Sequence, residues 1–384
     1  MGQQDETSLE KPKLTVEDQA IESQLKIADS NRAELQKALD DAPEEHRQAI
    51  RFLVGNMVPQ DLRSVSAEFL LEDVRLAYEA REASPWKDQV SESLFFNNVL
   101  PFANVSEKRE KWRAKLREIC LPIIKDCSTT EEAALAINKQ LFKTIKVKYS
   151  TKRKRADQSP SESMEQGRAS CTGLTILYVD ACRSVNVPAR LVGIPSWTTK
   201  RGNHTWAEVW ANNDWHFAGA AEPDPKGLDR GWFVKDASMA DASKRMNSIY
   251  AVSFARSETT FPMVWARGWR NSIHAINVTE RYTRDQSKET PRQTDLVTAR
   301  IRVWNLGKSS RIATPIEIRQ PEEQTVLGQG RSTGNEADMN DLFEVNLAPN
   351  GTYEAILGTG DDQQTLQFKT NAEATQLIEI ELTQ

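Results

Sequence analysis

From about residue 15 to 118, apolar residues recur every three or four positions, the period of helices buried along one face. "AEFLLEDVRLAYEARE" places Phe69, Leu70, Val74, Leu76 and Ala77 in that rhythm, and "EKREKWRAKLREIC" does the same around Trp112 and Leu116. Between them, "SPWKDQVSESLFFNNVLPF" reads as an ordered connection pinned by aromatics and Pro101. A further helix is predicted over 129–148, with Ser128 or Thr129 as N-cap and Glu131 or Glu132 in the first turn. Another begins at Cys171, with Leu174, Leu177, Tyr178, Ala181, Cys182 and Val185 on one side and Asn186 and Pro188 marking its end.

The period then shortens. "ARLVGIPSW" reads as a buried strand, and "NHTWAEVWANNDWHFAGA" as two strands around an Asn212-Asn213-Asp214 turn. The aromatic-rich stretch 245–285 closes this second unit and packs it onto a third. From about 290 the texture is all-β: "LVTARIRVWN" and "TQLIEIELTQ" alternate, and "FEVNLAPNGTYEAILG" carries Asn350-Gly351 at a hairpin position. The expected fold is α+β. A disordered linker (1–14) precedes a helical N-terminal region (15–118), a helix-on-antiparallel-sheet core (119–285) and a β-sandwich without chemistry (290–384).

Composition changes this picture little. The hydrophobic fraction of 39% and charged fraction of 27% suit ordinary packed cores. A net charge of -5 gives no global reason to expect nucleic acid or an anionic membrane as partner, and no stretch is long enough to span a bilayer. The basic run in "KVKYSTKRKRADQSPSES" is expected to be a solvated loop. The opening residues lack the apolar segment of a signal peptide, and a leader removed earlier is compatible with them. The four cysteines are too few for a disulfide scaffold, although Cys120 and Cys127 are near enough to bridge across a helix end; no zinc-spaced cluster is present.

Candidate chemistry centres on Cys171. A thiol attacks an acyl carbon as thiolate, and a helix N-terminus and a nearby imidazole both favour that form. Among four histidines, His204 sits at the mouth of a strand, sharing one face with Trp206 and Glu208 while Thr205, Ala207 and Val209 share the other. Cys182 and His216 read as structural, and Glu208 as the partner of a backbone amide or an arginine.

A cysteine opening a helix, followed by "HTWAEVW" and a Trp-led strand ending in acids, resembles the transglutaminase-like superfamily, a circularly permuted relative of papain-like proteases. The likeness runs from about Ala169 to Phe233, and the flanking sequence is similar to bacterial transglutaminase-domain proteins; peptide:N-glycanases look related too. The resemblance implies a catalytic order Cys171, His204, then an acid. Where the family places its Asp, four residues after Trp215, this chain has Gly219. The first acids beyond are Glu222 and Asp224; Glu222 is the choice for the third role, with a backbone carbonyl, Asn203 or nothing as alternatives. The Cys171 N–H and Gln166 are the expected oxyanion donors, with Trp206 beside the substrate.

The function implied is a cysteine-dependent amide hydrolase or acyltransferase, protease- or amidase-like, working through a thioester on a peptide, protein or glycopeptide. The alternatives are a non-catalytic peptide- or glycan-binding protein with a degenerate core, and a glycan-asparagine amidase. No metal or organic cofactor is implied. Similar proteins tend to be exported, so a periplasmic or extracellular location is expected.

Overall fold

The protein is described from a computed structural model, which covers residues 15–198, 202–269, 271–284, 296–321, 325–373 and 375–383. The expected linker 1–14 lies outside the described residues. Six helices open the chain: α1 (Val16–Ile27), α2 (Arg32–Asp41), α3 (Arg47–Asn56), α4 (Pro59–Leu62), α5 (Ala67–Ala83) and α6 (Glu92–Asn98). The stretch read as a connection therefore contains a helix, capped by Ser91, whose hydroxyl accepts from the Leu94 N–H. Helices α7 (Arg113–Ile124) and α8 (Thr130–Thr144) follow. Thr129 is the N-cap of α8 and accepts from the Glu132 N–H. All four cysteines are free, so the Cys120–Cys127 bridge does not form. Cys120 is buried beside Ser184 instead, where desolvation pushes its thiol up to about 12.

The core then runs β1 (Lys148–Tyr149), α9 (Pro160–Gln166), β2 (Arg168–Ala169), α10 (Cys171–Ser184), β3 (Ala189–Ile194), β4 (His204–Ala211), β5 (Asp214–Ala218), α11 (Val234–Ser238), β6 (Tyr250–Val252), β7 (Thr259–Thr260), β8 (His274–Asn277) and α12 (Thr279–Thr283). Six of these strands form one antiparallel sheet in the order β5-β4-β3-β6-β8-β7. Asn212 and Asn213 both adopt positive φ (51° and 62°), giving the tight turn that the sequence predicted between β4 and β5.

Helix α10 lies at the centre. Every residue from Thr172 to Ser184 is buried, between the sheet on one side and α7 and α8 on the other. Burial on all sides obliges its polar groups to find partners inside. Arg183 donates to the carbonyls of Asn98, Pro101, Ala103 and Ala189. Beside it, Arg113 forks onto both Asp73 oxygens at 2.9 and 3.0 Å and also holds the Val99 and Leu100 carbonyls. The Trp86 indole N–H donates to the Asn186 carbonyl at 2.9 Å, just past the end of α10. One continuous apolar core runs from α1 through α10 to β3, β4 and β5.

The remaining strands are β9 (Val297–Trp304), β10 (Pro315–Arg319), β11 (Val326–Arg331), β12 (Phe343–Leu347), β13 (Thr352–Leu357), β14 (Gln364–Lys369) and β15 (Thr375–Glu381). They form two sheets, β12-β9-β15 and β11-β10-β13-β14, whose inner faces share an apolar core. Here one expectation fails. Asn350-Gly351 does not close a hairpin: β12 pairs with β9, and β13 with β10 and β14, so the turn carries the chain from one sheet to the other. Local turn chemistry specifies a reversal; the pairing partner is chosen by which face of each strand the core needs.

Removing one member of a buried, bidentate ion pair strands the other charge and costs about 3–5 kcal/mol. Arg113→Met should lower unfolding stability by about that much in urea titration, whereas truncation of the exposed Lys37–Asp41 pair should leave the unfolding midpoint essentially unchanged.

Candidate active site

Cys171 is the first helical residue of α10, with Ser170 as N-cap accepting from the Gly173 N–H at 3.0 Å. The first-turn N–H groups of a helix have no intrahelical acceptor, so this end favours negative charge. The sulfur is partly buried. It lies within hydrogen-bonding reach of the Thr205 N–H and of the Thr172 hydroxyl and N–H, which ties α10 to the start of β4. The hydroxyls of Thr172 and Thr205 sit 3.1 Å apart along the same seam.

Thr205, Ala207 and Val209 face α10 and its neighbours, so strand alternation puts His204 on the opposite face. It reaches the cysteine's cavity because it is the first residue of β4, where the cavity wraps round the strand's end. Gly193 keeps that end close to its partner strand: a Cβ there would meet the His204 carbonyl at 2.8 Å and Phe261 at 3.1 Å. Aromatic rings enclose the imidazole. Ring centroids of Trp232, Phe233, Trp206 and Trp197 lie at 4.7, 5.1, 5.8 and 6.2 Å.

Cys171 and His204 line one cavity of about 360 Å³, together with Leu174, Thr205, Gly219, Ala220, Glu222 and Trp232. Burial pushes the Cys171 thiol above its ordinary value. The Thr205 and Thr172 donors and the charge of Arg153 pull the other way without overcoming it.

Glu222 reaches the cavity, but its carboxylate accepts from the Trp232 indole N–H at 3.1 and 3.2 Å. The Trp232 ring in turn packs on His204. Gly219 makes this seat possible: a Cβ there would fall 2.5 Å from Glu222 Oε2. The residue that looked like a missing acid in the sequence thus leaves room for an acid three positions on. Burial pushes the Glu222 carboxyl above its ordinary value, while the Trp232 N–H pulls it down. Asp224 does not line the cavity; it accepts from Lys226 N–H and pairs with Arg230. Asn203 faces a second cavity, and its carbonyl accepts from Asn340.

Two residues expected beside the substrate lie elsewhere. Trp206 is fully buried behind His204, with its indole N–H donating to Tyr282 Oη at 2.8 Å, and it is not among the described residues that line the cavity. Gln166 lines neither cavity that contains Cys171; its amide oxygen accepts from the Lys154 N–H at 3.2 Å and ties down the preceding loop. Glu208 does pair with an arginine: Arg190 forks onto it at 2.6 and 2.7 Å, and Tyr282 donates to its other oxygen at 2.8 Å. His216 is held by Asp229 at 2.6 Å, outside the cavity.

The cavity also has a lining that sequence reasoning missed. Asp338, Asn340 and Asp341 enter it from the loop before β12, in the unit read as bearing no chemistry. No periodicity or motif marks them, because contact between the two units is set only by tertiary packing. Among the described residues no group of three or more His, Cys, Asp or Glu is placed to hold a metal ion, and no helix is long and apolar enough to cross a membrane.

Residues 117–222 match the family model of the transglutaminase-like superfamily, a segment that starts in α7 and ends at Glu222. The core is transglutaminase-like. The match takes in Cys171, His204 and Glu222, and leaves the N-terminal helices and the two C-terminal sheets outside it. The chain is similar to "Putative Cysteine Protease from Cytophaga hutchinsonii", at 17% identity over 46% of this chain and 63% of that one, with a TM-score of 0.27. It is also similar to red sea bream transglutaminase, at 9% identity over 77% of this chain and 58% of that one, with a TM-score of 0.29. The chain thus spans less than two thirds of either protein, and overlaps at this level are no ground for aligning residues. No curated protein matches the sequence.

The Trp232–Glu222 contact makes a pH prediction. With its folded pKa raised, Glu222 contributes stability below its unfolded pKa, and this declines as pH rises through the folded value. The Trp232 indole N–H resonance, assigned by its loss in Trp232→Phe, should titrate with a midpoint above the ordinary glutamate value of 4.5. Glu222→Gln should abolish that titration.

Proposed function

We propose that this protein is a cysteine-dependent amide hydrolase or acyltransferase with Cys171 as nucleophile and His204 as its base and acid. The observation that supports it best is the shared cavity: a thiol at a helix N-terminus and an imidazole at a strand mouth, within the segment matched to the transglutaminase-like superfamily. In the reaction, the Cys171 thiol gives its proton to His204 as sulfur attacks an amide carbonyl. The N–H groups at the start of α10 face the developing oxyanion. Collapse breaks the C–N bond, and His204 returns the proton to the departing amine. Water then attacks the thioester, releasing a carboxylic acid and restoring the thiol; an amine in place of water gives transamidation.

Because burial raises the thiol, the pair is read as one in which His204 removes the proton during attack, not as a standing thiolate. Orientation of His204 is assigned to its aromatic enclosure, with Glu222 acting through Trp232. Substrates of this class are peptides, proteins or glycopeptides.

Iodoacetamide labelling of Cys171, followed by intact mass against pH, tests the pairing. Labelling should set in at lower pH in the wild type than in His204→Ala, because the imidazole takes the thiol's proton as sulfur attacks. In His204→Ala it should shift to a profile above that of an ordinary thiol, near pH 8.5. Profiles indifferent to His204 would sink the enzyme reading. They would favour the second one, a non-catalytic binding protein, which the upward push on the Cys171 thiol supports. On an amide substrate, Glu222→Gln should lower turnover by less than about tenfold, against about 10⁴-fold for loss of a directly bonded triad acid.

A further inference from the structure

The loop between β1 and α9 carries Lys152, Arg153, Lys154 and Arg155 in succession. Two of the four are neutralised locally. Lys152 pairs with Glu336 at 3.0 Å, and Arg155 lies 3.3 Å from Glu162. Lys154 is exposed, and its side chain lines neither cavity that contains Cys171. Arg153 differs: it donates to its neighbour Thr151's carbonyl at 2.9 Å, and among the described residues it forms no ion pair.

Arg153 lines a second cavity, of about 600 Å³, that meets the first at Cys171. Tyr149, Cys171 and Asp338 belong to both. The two chambers differ in charge. Among the described residues, the first has three carboxyl groups (Glu222, Asp338 and Asp341) and no lysine or arginine in its lining. The second has Lys152, Arg153 and Arg311 against Glu336 and Asp338. Glu336 is already paired with Lys152, and burial pushes the Asp338 carboxyl up, towards its neutral form. Arg311 is occupied by the carbonyls of Ala337 and Asp338. Among the described residues lining this chamber, Arg153 has the most side-chain donors left for a ligand, and Ser170 and Thr172 bring the positive end of α10 into the same wall.

We infer that the Arg153 chamber seats a carboxylate of the acyl substrate, placed beside the carbonyl that Cys171 attacks. A guanidinium suits this task because its planar fork of donors matches a carboxylate, and it stays charged at any working pH. The substrate class is thus an amide with a free carboxylate a few bonds from the reacting carbonyl, supplied either by a chain end or by an acidic side chain. The inference rests on the reading of Cys171 as the reacting group, but the seat itself can be measured without turnover.

The test compares alkylation of Cys171 in the full chain by two reagents of similar shape, anionic iodoacetate and neutral iodoacetamide. In both, the thiolate displaces iodide. Taking the ratio of the two rates cancels any change in thiol ionisation. The iodoacetate-to-iodoacetamide ratio should exceed that of glutathione by about tenfold, the worth of a charge-assisted hydrogen bond. It should fall to the glutathione value in Arg153→Gln and be unaltered in Lys154→Gln. N-acetylalanine and N-acetylglutamate α-amide then identify the source of the carboxylate by which one protects against iodoacetate; N-acetylalanine amide should not protect. A wild-type ratio equal to that of glutathione, a ratio indifferent to Arg153→Gln, or protection by neither carboxylate overturns the inference. A high, Arg153-dependent ratio with labelling indifferent to His204 would uphold the seat while removing the enzyme reading.

Discussion

The structure depends on burying α10. A helix enclosed from Thr172 to Ser184 cannot send its polar groups to water, so its surroundings are built to receive them. Arg183 is the extreme case: burial draws its guanidinium down to about 10, and four main-chain carbonyls from separate parts of the chain converge on it. Three of those carbonyls lie between Asn98 and Ala103, at the end of the N-terminal helices. Those helices are thus not an appendage. They supply the carbonyl cage, the Asp73–Arg113 pair and the Trp86 hydrogen bond that close the far end of α10.

Fixing one end of a helix fixes the other. With its C-terminal half locked, the N-terminus of α10 has a single position against β4, recorded by the Thr172–Thr205 contact. The same packing raises the thiol by desolvation, so rigidity and reactivity pull in opposite directions at Cys171. The imidazole side of the site is stiff for another reason. Rings of Trp197, Trp206, Phe233 and Trp232 leave His204 little freedom, and the network through Tyr282, Glu208 and Arg190 anchors the wall behind it.

Much of this was legible in the chain. The three-to-four spacing after Cys171 and the Asn212-Asn213 turn are local signals with local causes, and they place the thiol and the histidine on definite elements. The sequence left Glu208 as partner of a backbone amide or an arginine; the fold supplies Arg190, since a buried carboxylate needs a cation. Gly219 was harder: read as a lost acid, it proves to be the space that Glu222 occupies.

Sequence by itself determined most of the elements and their amphipathic faces, because capping, periodicity and turn chemistry act over a few residues, while the pairing of Cys171 with His204 was drawn from the family resemblance. Tertiary structure alone decided that Asn350-Gly351 crosses between sheets, that Trp206 backs the histidine without meeting the cavity, and that Arg153 shares a chamber with Cys171. It also decided that Asp338, Asn340 and Asp341 reach the same cleft from more than 150 residues away in the chain. Those outcomes depend on which surfaces the packed units press together, a property of the whole fold that no local pattern encodes.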